Sequence, residues 1–227
     1  MTFSPFQSDL PLICYIDYKS PYAFVAKDPT YALADSLGIQ VDWRPITLDI
    51  PSYLGSAKLD KQDRVVENNR TPQQWTGVKY AYRDARRYAA LNGYTLRGTV
   101  KIWDTSLIHI AMLWVKQQDY STLKRFTDQV YERFWRRELD VEDLPTVVEC
   151  LRNANAETTG FEQFAGHEGR TLHDSMQAAI FAAGIYGVPT YIVDEEMFFG
   201  REHLPMIAWI LKGRHGVAPD IAYGPVI

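Results

Sequence analysis

The sequence predicts an α/β fold in which a β-α-β half and a β-β-α half are separated by the mostly helical residues 71–183. Three observations carry this. A strand-like run, Leu12–Tyr18, is followed at once by Ser20–Pro21. A second β-rich stretch, Thr190–Val193 and Met197–Phe199, brackets Asp194-Glu-Glu196 as a hairpin would. Between them, apolar residues recur near helical spacing from Thr71 to about Gly184.

Leu12–Tyr18 (Leu-Ile-Cys-Tyr-Ile-Asp-Tyr) is rich in β-formers and reads as a buried strand. Ser20 is a preferred helix N-cap and Pro21 suits the first helical position, so a helix starts there and runs through Ala34 to Leu37. Gly38 closes it. Val41–Ile46 reads as the second strand and leads into an irregular segment holding Pro45, Pro51 and Gly55. Trp75–Asn92, Ile102–Gln118, Ser121–Glu138 and Val141–Asn153 read as helices separated by Gly-, Asp- and Pro-containing turns. Leu172–Ala183 is a further helix, apolar on most sides and expected to be buried. After the hairpin, Glu202–Leu211 forms the closing helix. This is the element order of a thioredoxin fold with a large helical insertion. Residues 1–70 and 184–227 would form a discontinuous thioredoxin-like domain, and residues 71–183 the helical insertion domain.

A hydrophobic share of 46% is enough to fill a sizeable core, and the formal net charge is −4. That mildly acidic balance does not support nucleic acid or an anionic membrane as the main partner, since both demand clustered Lys and Arg. No segment approaches the roughly 20 apolar residues needed to cross a bilayer. Residues 1–12 lack the basic start and long apolar run of a signal peptide. Cys14 and Cys150 lie far apart inside apolar patterns and read as reduced, buried thiols. The expected compartment is the cytoplasm.

Five segments suggest chemistry: Asp17-Tyr-Lys-Ser-Pro-Tyr22, Trp43-Arg-Pro45, Asn69-Arg-Thr-Pro72, Gly187-Val-Pro-Thr190 and Phe199-Gly-Arg-Glu-His203. In their order and spacing they resemble the 2-hydroxychromene-2-carboxylate isomerase and kappa-class glutathione transferase family, a branch of DsbA-like thioredoxin folds. The resemblance covers nearly the whole chain, from Leu12 to about Leu211.

Where redox relatives carry Cys-x-x-Cys, this chain reads Ser20-Pro21-Tyr22-Ala23. Disulfide exchange needs a thiolate attacker, and neither Cys14 in the strand nor Cys150 in the insertion supplies one there. A hydroxyl at a helix N-terminus can instead donate a hydrogen bond to an anion that the helix dipole already favours. The resemblance implies that this anion is the thiolate of bound glutathione, with Ser20 as the catalytic residue. As a plain N-cap, the same serine would stabilise the helix by roughly 1 kcal/mol, and both roles can coexist.

The resemblance further implies a cis bond at Pro189, with the Val188 backbone pairing to the cysteinyl unit of glutathione as a short added strand. Glu202 takes the family's acidic position, which meets the γ-glutamyl ammonium, while His203 and Phe199 replace an arginine and a tryptophan. Read locally, Glu202 is equally a first-turn carboxylate balancing a helix dipole. Asn69 and Lys79 match the family's asparagine turn and the lysine of the following helix. Lys79, Arg83 and Arg86 fall at helical spacing as a basic strip, which also reads as a solvated face with Asp84 as counter-ion. Tyr22, Phe24, Trp75 and Trp103 are candidates to line a hydrophobic substrate cavity. The five histidines show no metal-ligand spacing.

These expectations amount to a glutathione-dependent isomerase or transferase acting on a small aromatic or otherwise conjugated electrophile, possible as a homodimer. A non-catalytic glutathione- or peptide-binding module is the alternative from another class, and a DsbA-like disulfide oxidoreductase is disfavoured by the missing cysteines.

Overall fold

The computed structural model describes residues 3–220, so residues 1, 2 and 221–227 of the expected thioredoxin-like domain lie outside the described residues. Its main sheet has four strands in the order β2-β1-β5-β6. β1 (Leu12–Ile16) and β2 (Val41–Pro45) run parallel, with Leu12 opposite Val41 and Ile16 opposite Pro45. Every residue of both is buried, as expected for strands covered on two faces. β5 (Thr190–Val193) pairs antiparallel with the other edge of β1, and β6 (Glu196–Phe199) folds back onto β5. Asp194 and Glu195, at φ 49° and 62°, make the two-residue turn that joins β5 to β6.

α1 (Pro21–Leu37) starts and stops where its caps dictate. Ser20 holds extended backbone before it, and Gly38 ends it at φ 64° in the left-handed region. α2 (Ile50–Leu54), β3 (Ala57–Leu59) and β4 (Val65–Asn68) occupy the segment expected to be irregular. β3 and β4 form a separate two-stranded antiparallel sheet. None of its residues is buried, so it left no alternation of apolar and polar positions to read.

Five helices follow the expected order, and several of their starts have a local cause. α3 (Pro72–Leu91) begins three residues early because Thr71 and Gln74 form a reciprocal capping box. α4 (Ser106–Lys116) begins after Asp104, whose carboxylate accepts the Ser106 N–H. α5 (Tyr120–Trp135) is capped by Asp119, and α6 (Leu144–Asn153) by Asp143, with Pro145 in its first turn. The last, α8 (Glu168–Ala182), starts four residues before the expected Leu172 and is preceded by a short helix, α7 (Phe161–Gly166), that the periodicity did not show. α9 (Leu204–Leu211) follows a single 3-10 turn at Arg201–His203. The strand expected to reach Tyr18 stops at Ile16, because the Asp17 side chain bonds backbone N–H groups outside the ladder.

The core joins the sheet to the helices through aromatic packing. Phe24 of α1 stacks on Tyr131 and Trp135 of α5 at ring separations of 5.4 and 6.1 Å. Arg44 in the Trp43-Arg-Pro45 segment pairs with Asp42 and donates to the carbonyls of Ser4 and Gln7, so this segment anchors the N-terminal stretch.

Candidate functional site

Ser20 sits at the corner between β1 and α1 and is 7% exposed. Its Oγ accepts the Ala23 N–H at 3.2 Å, the expected capping bond, and donates to the Val188 carbonyl at 3.4 Å. The Val188–Pro189 bond is cis, as the resemblance implied. The Gly200 N–H returns to the Pro189 carbonyl at 3.0 Å, which fixes the start of the 3-10 turn beside the proline.

On one side of this corner lies a cleft of about 550 Å³ whose walls include Tyr22, Val188, Pro189, Phe199, Arg201 and Glu202. Asp84 also faces it, so both signs of charge are present. Arg201 is held over the Tyr88 ring, 3.7 Å from its centroid. Gly200, at φ 107°, lets the Glu202 carboxylate fold back over the backbone where a Cβ would stand.

On the other side lies a mainly apolar cavity of about 250 Å³, built from Pro21, Ile50, Leu54, Val78, Tyr82 and Trp103 among others. Three cations border it: Lys19, Arg70 and Lys101. Arg70 has no carboxylate partner among the described residues. It donates to the Gly55 carbonyl at 3.4 Å and stacks over Trp75. Burial lowers its pKa from the usual guanidinium value. A second cavity of about 530 Å³ shares Lys19, Lys101, Ile102 and Trp103 with the first.

A buried polar network sits beneath the corner. Asp17, fully buried, accepts from the Lys19 N–H at 3.1 Å, the Leu48 N–H at 2.9 Å and the Thr105 hydroxyl at 2.8 Å, and pairs with the Lys19 ammonium at 3.2 Å. Burial alone would raise its pKa, but the Lys19 charge and the Leu48 N–H outweigh it and hold the carboxyl well below the ordinary range. His109 Nε2 lies 3.4 Å from Asp17 but lacks the alignment of a hydrogen bond. Its Nδ1 meets Thr47 Oγ1 at 2.7 Å, and the same oxygen meets His173 Nε2 at 2.9 Å. His173 Nδ1 continues the chain to Asp174 at 2.8 Å. These contacts assign Nδ1–H tautomers to both rings, with the Thr47 hydroxyl donating to His173. Burial, helped by the charge of Lys19, depresses the pKa of His109, and burial pushes that of His173 down to about 4.

The structure brings Ser20 into contact with Val188 and sets Val188, Pro189 and Glu202 in one cleft. It places the other two expected residues elsewhere. Asn69 accepts the Ser56 N–H through its side chain, tying the end of β4 to the start of β3. Lys79 lies over the Trp75 ring on a separate surface cavity with Asn68 and Arg70. Arg86 is turned inward to the Leu96 carbonyl, Arg83 rests on Tyr80, and Asp84 pairs with Arg87 rather than with either. Of the candidate aromatics, Tyr22 and Trp103 line the two cavities of the corner, Trp75 the Lys79 surface, and Phe24 is core. Both cysteines are buried, and burial raises both thiol pKa values, that of Cys150 to about 11. Sequence reasoning passed over Lys19, Arg70, Lys101, His109 and His173. Lys19 and Arg70 stood inside quoted motifs, but nothing local showed which way they pointed.

Comparison with known proteins places the fold. A 2-hydroxychromene-2-carboxylate isomerase from Sphingobium xenophagum is 23% identical over 194 residues, covering 85% of this chain and 93% of that protein. A solved 2-hydroxychromene-2-carboxylate isomerase superposes with a TM-score of 0.67 at 18% identity, covering 89% of this chain and 94% of that one. The cytosolic disulfide reductase DsbM from Pseudomonas aeruginosa, solved with GSH, reaches a TM-score of 0.57 at 14% identity over 89% of this chain and 98% of that one. The family model for the DSBA-like thioredoxin domain matches residues 12–212, from the first residue of β1 to just past the end of α9. With the β-α corner, the cis-proline and the intervening helices all inside that match, the chain belongs to the DsbA-like thioredoxin family.

Proposed function

We propose that the protein is a glutathione-dependent isomerase or transferase in which Ser20 stabilises the glutathione thiolate for attack on a small, conjugated, aromatic electrophile. The observation that carries the reading is the Ser20 hydroxyl at the N-terminus of α1, in contact with Val188 and flanked by a polar cleft and an apolar cavity. The isomerase names of the relatives and the GSH bound to DsbM support it.

In this reading glutathione lies in the cleft. Its cysteinyl backbone pairs with Val188 beside Pro189, and its γ-glutamyl ammonium meets Glu202, while Arg201 faces a carboxylate. The Ser20 hydroxyl turns from the Val188 carbonyl to the sulfur, where its hydrogen bond and the helix dipole lower the thiol pKa. Asn69 and Lys79 act at the periphery, Lys79 as a steering charge. The electrophile enters the apolar cavity, where Arg70 and Lys101 suit an acidic group. The thiolate adds to a conjugated carbon, the electron pair moves onto the activating oxygen, and the former double bond rotates. Collapse of that oxyanion expels the thiolate and returns glutathione unchanged; release of the adduct instead makes a transferase. The thioredoxin-like unit (1–70 with 184–227) thus supplies the thiol site, and the helical insertion (71–183) most of the cavity wall. The cytoplasm, where glutathione is abundant and Cys14 and Cys150 stay reduced, is the compartment this reading requires, and a homodimer is compatible with it.

Calorimetric titration of glutathione into the wild type and Ser20→Ala, with thiolate ultraviolet absorbance followed in parallel, tests the reading. Binding with a raised thiolate fraction in the wild type alone is expected. Binding without thiolate formation in either protein favours a non-catalytic binding module, for which the satisfied Ser20 hydroxyl is the supporting observation. Absence of binding removes glutathione from the reading.

A further inference from the structure

We infer that Lys19 is a catalytic residue that holds the oxygen on which negative charge develops when a thiolate adds to the bound electrophile. The inference rests on the reading above and names the group that meets the electron pair leaving the double bond.

The side chain of Lys19 is only 5% exposed, yet it borders both cavities on the substrate side of the corner. An ammonium carries three N–H donors. Two are accounted for, one at Thr105 Oγ1 and one at Asp17 Oδ2, each at 3.2 Å. No third partner exists among the described residues, and Lys19 lines both cavities. Asp17 and Thr105 are themselves joined at 2.8 Å, so the two accepting atoms form one rigid bracket on a single side of the nitrogen. Asp17 cannot swing away, because the Leu48 and Lys19 N–H groups also hold it. The ammonium is therefore fixed before any ligand arrives, which is what electrostatic stabilisation of a transition state requires.

Chain position does the rest. Lys19 directly precedes Ser20, so the two Cα atoms are about 3.8 Å apart. In this assignment a thiolate at the Ser20 hydroxyl and an oxyanion at the Lys19 ammonium flank one substrate. In the addition step the sulfur lone pair forms the S–C bond, the C=C pair becomes the C=C of an enolate, and the carbonyl pair moves to oxygen opposite Lys19. Elimination reverses each movement, so no external oxidant or base is consumed. Lys101 also lines both cavities but is already paired with Glu142, and Arg70 lies on the far wall beside Gly55.

The test uses Lys19→Met, with Lys19→Arg keeping a charge opposite Asp17 if the methionine variant does not fold. Three readouts separate the outcomes. First, para-nitrophenol is titrated with pH in the presence of protein without thiol. The wild type should lower its pKa by about one unit, a tenfold preference for phenolate, and Lys19→Met should not. Second, glutathione thiolate absorbance should be the same in the wild type and both variants. Third, glutathione addition to benzylideneacetone, which creates an enolate, should fall about 100-fold in kcat/KM in Lys19→Met. Displacement at benzyl bromide, which creates no oxyanion on carbon-bound oxygen, should stay within about twofold. An equal loss with both electrophiles, no loss with either, or an unshifted phenol in the wild type overturns the assignment. Absence of thiolate in the wild type overturns the glutathione reading instead, while the phenol titration still reports on Lys19.

Discussion

The Ser20 hydroxyl donates to the Val188 carbonyl at 3.4 Å, although 168 positions separate the two in sequence. The corner that would activate a thiol and the shoulder that would align it are therefore one contact. The bond is long for a hydroxyl donor and so is exchanged at little cost for a charged acceptor.

Replacing Ser20 by alanine removes the cap and the donor together. Thermal or denaturant unfolding should show a loss of about 1 kcal/mol from the cap. Bound glutathione should titrate like free glutathione in the variant, which absorbance near the thiolate band records. A variant that retains an acidified thiol would transfer the role to another donor.

Arg70 has an apolar cavity before it and no carboxylate partner among the described residues. Arg70→Met should weaken binding of a fluorescent naphthoate by about tenfold and leave the neutral naphthalene analogue unaffected. Equal weakening of both would mean that Arg70 shapes the cavity without selecting charge.

The histidine chain makes the fold sensitive to acid. The folded pKa of His173 is about 4 against 6.5 for a free imidazole, so protonation favours the unfolded chain between those values. Stability present above pH 6.5 is lost as pH falls toward 4, by on the order of 3 kcal/mol at full effect for so buried a ring. His109, depressed in the same direction, adds to the loss, and Asp17 contributes only below the ordinary carboxylate pKa. Melting temperature against pH should show the slope, and His173→Gln should flatten it.

Gly200→Ala should cost roughly 1–3 kcal/mol, since φ 107° disfavours any residue with a Cβ. It also displaces the Glu202 carboxylate that folds over that position. Weaker glutathione binding with unchanged affinity of a peptide lacking the γ-glutamyl unit would locate Glu202 at the ammonium.

Neither thiol should react in the folded state. Cys14 is fully buried in β1 and burial raises its pKa, and the same holds for Cys150 in α6. A disulfide reagent should label both only after denaturation, and insulin reduction should be absent.

The order of elements was legible because β1, β2 and β5 are buried runs and because Ser20, Gly38 and Pro21 punctuate α1 by their own chemistry. β3 and β4 were not, since a hairpin without a buried face has no periodicity. The cis bond at Pro189 was legible only through the resemblance, as Val-Pro carries no local sign of its isomer. The Lys19 bracket was beyond sequence altogether. Thr105 is 86 positions away, and the Thr47–His173 bond spans 126. A residue's neighbours at such separations are fixed by packing, whereas composition records only that a lysine and two histidines exist.

The bracket under the corner also limits how this protein can be recombined. Asp17 directly follows β1, yet one of the donors that orient it, the Thr105 hydroxyl, arrives at the start of α4. A chimaera that exchanged residues 71–183 for those of a relative would keep Ser20 and Pro189 but take the Thr105 hydroxyl away from both Asp17 and the Lys19 ammonium. The transplant would succeed only if Thr105, His109 and His173 travelled as a set with Asp17, Lys19 and Thr47.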